Sequence, residues 1–101
     1  MQLSDFKMIR IEVGNNGTQA VLDFGKYHLS VITGGYGNAA SPYEIAVVAL
    51  KDGVSDGFVQ LPGITGPNDD VRGHMTEEEV DVIIKKMYSI TSRIPVQKYN
   101  N

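Results

Sequence analysis

Met75-Thr76-Glu77-Glu78-Glu79-Val80 decides how this chain is read, because three helix-start signals converge on Thr76. The Thr76 hydroxyl suits an N-cap; it can accept from the backbone N–H of Glu79 while the Glu79 carboxylate accepts from the N–H of Thr76; and Met75 and Val80 flank the pair as a hydrophobic staple. A helix therefore begins at Glu77. Val80, Ile83, Ile84 and Met87, with Ile90 or Thr91, recur at three-four spacing, which predicts a helix over about 77–92 with one buried stripe. The three glutamates sit at its positive end and Arg93 lies beyond its negative end, with Lys85 and Lys86 on the flank and Asp81 and Lys85 spaced as an exposed ion pair. Pro95 bars continuation, so 93–101 reads as a frayed tail.

Upstream of the helix the pattern changes from period 3.6 to period two. Ile9, Ile11 and Val13 alternate with Met8, Arg10 and Glu12, and Gly14-Asn15-Asn16-Gly17 supplies residues that tolerate positive φ, a hairpin signal. Ala20, Leu22 and Phe24 share a face of the returning run, and Gly25-Lys26 reverses the chain into Tyr27, Leu29 and Val31. The run from Tyr43 to Leu50 is apolar on both faces, with Ile45, Val47 and Ala49 on one and Ala46, Val48 and Leu50 on the other. Lys51-Asp52-Gly53 and Ser55-Asp56-Gly57 mark a reversal, and Phe58 to Leu61 is a short edge strand stopped by Pro62-Gly63. Gly63 to His74 has loop composition, with Ile64 and Val71 as pins to the core. The expectation is a single α+β domain over 1–101: an antiparallel meander of four to five strands (about 7–13, 19–24, 27–33, 43–50 and 58–61) packed on one C-terminal helix.

One helix covers one face of such a sheet, not two, so Ala46, Val48 and Leu50 form a surface that calls for cover by loops or by a partner. A second copy of the chain, sheet against sheet, is the preferred partner, which predicts a homodimer.

Composition narrows the function classes. A chain of 101 residues buries roughly 65% of its unfolded surface and folds without staples, and zero Cys excludes a disulfide framework or thiolate zinc site and favours a reducing compartment. Met1 to Arg10 lacks the apolar run of a signal peptide, and no stretch reaches the ~20 apolar residues of a membrane span, so no membrane association is expected. Net charge is −3 and the nine basic residues are scattered, a poor match to nucleic acid, which rewards a concentrated basic surface.

Candidate chemistry is sparse. Thr33-Gly34-Gly35-Tyr36-Gly37-Asn38-Ala39-Ala40-Ser41-Pro42 is a Gly-rich loop in which Gly35, Tyr36 and Gly37 could wrap a ligand, but it joins two strands and lacks the helix and Lys of a phosphate loop. Asp69-Asp70 with Arg72 and His74 clusters ionisable groups, yet neighbours in an extended segment diverge and no fourth ligand follows at a regular spacing, so no metal site is assigned. His28, mid-strand, reads as a surface or partly buried strand residue. With no nucleophile elbow and no Cys, neither catalytic residues nor a cofactor are expected, and the chain reads as a non-enzyme.

Phe24-Gly25-Lys26-Tyr27, Ser30-Val31-Ile32, the Gly-Gly-Tyr-Gly loop, Tyr43-Glu44-Ile45-Ala46-Val47-Val48, and Ile64-Thr65 through Asp69-Asp70-Val71-Arg72-Gly73-His74 to Met75-Thr76-Glu77-Glu78-Glu79-Val80 together resemble a family of short uncharacterised tailed-bacteriophage proteins. Members have a Tyr-Gly-Gly loop, a Tyr-Glu-Val-Ala-Val type strand, and an Ile-Thr-Asp-Asp-Val segment leading to a Thr-Glu-Glu-Glu-Val helix start. Here Gly66-Pro67-Asn68 interrupts that segment, and Lys7 to Val13 has no counterpart in the pattern. The resemblance implies a phage accessory protein made in the host bacterial cytoplasm and brings no catalytic residues with it. It favours a non-enzymatic binder of a host protein, in host takeover or counter-defence. The rival readings are a sequestering protein for a nucleotide-like signal, with Tyr36 stacking and Arg72 pairing with phosphate, and a minor virion component.

Overall fold

A computed structural model describes residues 1–11, 17–34, 40–66 and 69–98. The chain runs through a 3-10 turn (Leu3–Asp5), then β1 (Ile9–Arg10), β2 (Thr18–Asp23), β3 (Tyr27–Ile32), β4 (Tyr43–Lys51), β5 (Val54–Phe58), β6 (Val71–Met75), α1 (Glu77–Thr91) and β7 (Val96–Lys98). Among the described residues, seven strands belong to one antiparallel sheet, in which β1-β2-β3-β4-β5 follow one another as a meander. The fold is α+β, with one α-helix, C-terminal, among the described residues.

The helix start has the geometry that its sequence encodes. Thr76 Oγ1 accepts from the Glu79 N–H at 3.1 Å, and Glu79 Oε1 accepts from the Thr76 N–H at 2.9 Å. Val80, Ile83, Ile84 and Met87 form the buried stripe, and the staple residue Met75 joins the same core. Against them pack Ala20, Leu22, Phe24, Leu29, Val31, Ile45 and Val47, one face of β2 to β4 and the residue after β2. Asp81 departs from expectation: its Oδ1 accepts the Leu3 N–H at 2.7 Å and so fastens the N-terminal turn to α1, rather than pairing with Lys85.

Three strand expectations need correction, and in each case an edge position is the cause. The fifth strand is Val54–Phe58, upstream of the expected 58–61, because Asp52 (φ 53°) and Gly53 (φ 78°) form a two-residue turn that sends the chain straight back along β4. Val71–Met75 is a strand, not loop, and Val96–Lys98 pairs with β2 instead of fraying. All three are short and largely solvent-facing, so none shows the alternation that reveals a half-buried strand. The first strand is described only at Ile9–Arg10; its expected end at Val13 lies outside the described residues.

Both outer columns of the sheet are split. β5 lies beside Val48 to Lys51, Val59 N–H donates to Val47 O at 2.9 Å, and β6 takes over at Ala46, so 60–70 is an excursion from one otherwise continuous edge. The excursion folds towards the helix: Ile64 is buried in the core and Lys86 Nζ donates to Gly63 O at 3.0 Å. Ile64 is therefore the pin that was expected, whereas Val71 is not; its pairing with Ala46 turns it to the opposite face, 40% exposed. On the other edge β7 and β1 line up beside β2, joined by the Gln97 carboxamide, which accepts the Lys7 N–H at 2.8 Å and donates to Lys7 O at 2.6 Å.

Candidate interaction surface

Strand register places the face opposite α1 row by row. Asp23, His28, Val48 and Phe58 form one row; Val21, Ser30, Ala46 and Val71 the next; Gln19, Ile32 and Glu44 the third. Among the described residues no helix or strand lies over these rows. Ala46, Val48 and Leu50 stand on this face, as their alternation with Ile45 and Val47 predicts: the latter two are fully buried under α1, Val48 and Leu50 are half-buried, and Ala46 is shielded by its neighbours. Phe58, 60% exposed, and Val71 extend the apolar surface across the outer column. Between them and Ile11 and Ile32 the sheet dips into a depression of about 370 Å3.

Two polar groups at the centre of this face engage each other: Gln19 Nε2 donates to Ser30 Oγ at 3.0 Å. His28 stands apart. It is 8% exposed, its Nε2 makes no hydrogen bond, and the nearest carboxylate oxygen, Asp23 Oδ1, is 3.7 Å away and already accepts the Gly25 N–H at 2.7 Å. Burial pushes the imidazole pKa below its ordinary value, the Lys98 ammonium adds to this, and Asp23 opposes both. The neutral ring is favoured. Asp23, His28 and Ser30 share this face, but the Ser30 hydroxyl is engaged by Gln19, not by His28, so the three do not form a nucleophile relay in this geometry.

Of the ligand residues of the rival reading, Arg72 alone falls within the described residues. Gly35, Tyr36 and Gly37 lie outside the described residues. Arg72 is on an edge strand, where its Nη1 donates to Ile64 O at 3.4 Å across a shallow basin shared with Thr65 and Asp69, whose carboxylate opposes a phosphate there. Asp69, Asp70 and His74 are exposed, and among the described residues no group of three His, Asp or Glu is placed to hold a metal ion.

Sequence reasoning missed the contribution of Phe58 and Val71. Counting back from the Asp52-Gly53 turn would have put Gly57 opposite Val48; a register shift between Leu50 and Val48 brings Phe58 there instead, and the register of Val71 follows an eleven-residue excursion, so neither position is signalled by the sequence. Comparison of the chain with protein-family models, curated proteins and solved structures returned no match.

Proposed function

We propose that this chain is a non-enzymatic binding protein that seats the uncovered face of its sheet on a protein partner. The observation that carries this is the apolar run of Ala46, Val48 and Leu50, continued by Phe58 and Val71 on a face over which, among the described residues, no helix or strand lies. Apolar side chains grouped on one face, with an aromatic among them, are the composition of an interface centre. The resemblance to short tailed-phage proteins makes a host bacterial protein, met in the cytoplasm, the proposed partner. Among the described residues no helix is long and apolar enough to cross a membrane. Self-association through the same face is the second reading, supported by the apolar patch being available on every copy.

Phe58 is the position to test, because it is exposed and its loss leaves the core intact. The protein is used to capture partners from bacterial lysate, and each captured protein is purified and titrated against wild type and Phe58→Asp. A specific partner should bind wild type and lose about 30-fold or more in Kd with the variant, the size of a ~2 kcal/mol hot spot. Equal affinity for both proteins rejects this face. Light scattering on the protein alone separates the second reading, which requires twice the chain mass of 11.0 kDa at micromolar concentration.

A further inference from the structure

On the helix side, away from the sheet face just described, the chain builds a second apolar feature. Ser92 ends α1 in the left-handed region (φ 55°), its N–H donating to Tyr88 O at 2.7 Å. The chain turns back from there, and Pro95 becomes buried as β7 joins β2. Ile94 precedes that proline, which restricts its backbone to extended conformations. It is held 66% exposed. Ile94, Met1 and Tyr88 form walls above a floor of Ile84 and Pro95, enclosing about 400 Å3. That is the size of a small-molecule site, and a largely apolar lining with few polar groups is what such sites have.

Besides the Tyr88 phenol, the polar side chains at this cleft are Lys85 and Ser89. Ser89 Oγ donates to Lys85 O at 3.1 Å, which leaves its lone pairs facing outward rather than a free donor. Lys85 itself has no ion-pair partner among the described residues. Asp81, one turn earlier and its natural partner, is taken by the Leu3 N–H, and the neighbouring Lys86 is spent on Gly63 O. An unpaired ammonium thus stands at the mouth of an apolar cleft.

We propose that this cleft binds a single-chain amphipathic carboxylate, its alkyl or aryl body between Ile94, Met1 and Tyr88 and its carboxylate on Lys85. Compact ammonium charge matches a carboxylate, whereas bidentate recognition of a phosphate calls for an Arg fork, which the lining lacks. The inference is independent of the proposed function, since none of these residues lies on the open sheet face.

The test is an amide chemical-shift titration of the intact protein with decanoate below its micelle concentration, with decanol and decyltrimethylammonium as equal-length comparators. Decanoate should produce saturable shifts confined to residues 84–89 and 94, and should bind several-fold tighter than decanol, the margin expected of one exposed ion pair. Lys85→Glu should invert the order, so that decyltrimethylammonium outcompetes decanoate, and Ile94→Asp should abolish binding of all three while leaving the helical circular dichroism unchanged. Shifts located elsewhere, no saturable shift at millimolar ligand, or an order of affinities unaffected by Lys85→Glu would each overturn the proposal.

Discussion

Thr76, Gly17 and His28 show three different ways in which a single residue holds this structure. Thr76 satisfies an otherwise orphaned helix donor, so Thr76→Ala should lower stability by about 1 kcal/mol, read as a shift in urea midpoint. Gly17 is needed for space: a Cβ there would overlap the Thr33 carbonyl oxygen across the ladder, and Gly17→Ala should destabilise by about 1–3 kcal/mol through backbone displacement. His28 contributes through its charge state. Its folded pKa lies below the ordinary value of 6.5, so the folded chain binds fewer protons than the unfolded one as pH falls through that value. The His28 contribution is therefore fully present above pH 6.5 and is lost as pH drops from there to the folded pKa. Urea midpoints of wild type should fall between pH 7.5 and 5.5 more steeply than those of His28→Phe, which lacks the titration; parallel profiles would contradict the assignment.

Among the elements, α1 and the central strands were legible and the edges were not, for a physical reason visible in particular residues. The capping box at Thr76 and the stripe through Met87 use local spacing alone, and β2, β3 and β4 alternate because each has one face against α1. An edge strand with little burial carries no alternation, so Val54–Phe58 and Val71–Met75 read as loop, and Val96–Lys98 is tied down by Gln97, whose partner Lys7 is 90 positions away. The open-face residues Ala46, Val48 and Leu50 were readable from the same alternation, while Phe58 and Val71 depend on pairings across a turn and an excursion. Two substitutions test this division of labour. Ile64→Ala should cost about 2–5 kcal/mol, since the 60–70 excursion closes the core through that side chain. Gln97→Ala should cost about 1–2 kcal/mol, with faster hydrogen exchange at the Lys7 amide as its local signature.

At the scale of the whole molecule, the described residues form a helix layer packed on one side of a sheet. The helix, the N-terminal turn and the Ile64 excursion all converge on one side of the sheet, and the described chain places nothing over the other. Edge columns split between distant segments, with Gln97 bridging one and the excursion interrupting the other, offer short lengths of backbone for strand addition, which leaves the broad face as the larger surface for association. Phe58→Asp should for the same reason leave the unfolding free energy from urea titration within about 0.5 kcal/mol of wild type, in contrast to Ile64→Ala. The most direct measurement is site-specific photo-crosslinking in bacteria, with benzoylphenylalanine at Phe58 and, as control, at Val82 on the exposed side of α1. A discrete protein adduct from position 58 and none from position 82 is the predicted result; no adduct from position 58, or the same adduct from both, would contradict the role given to the open sheet face.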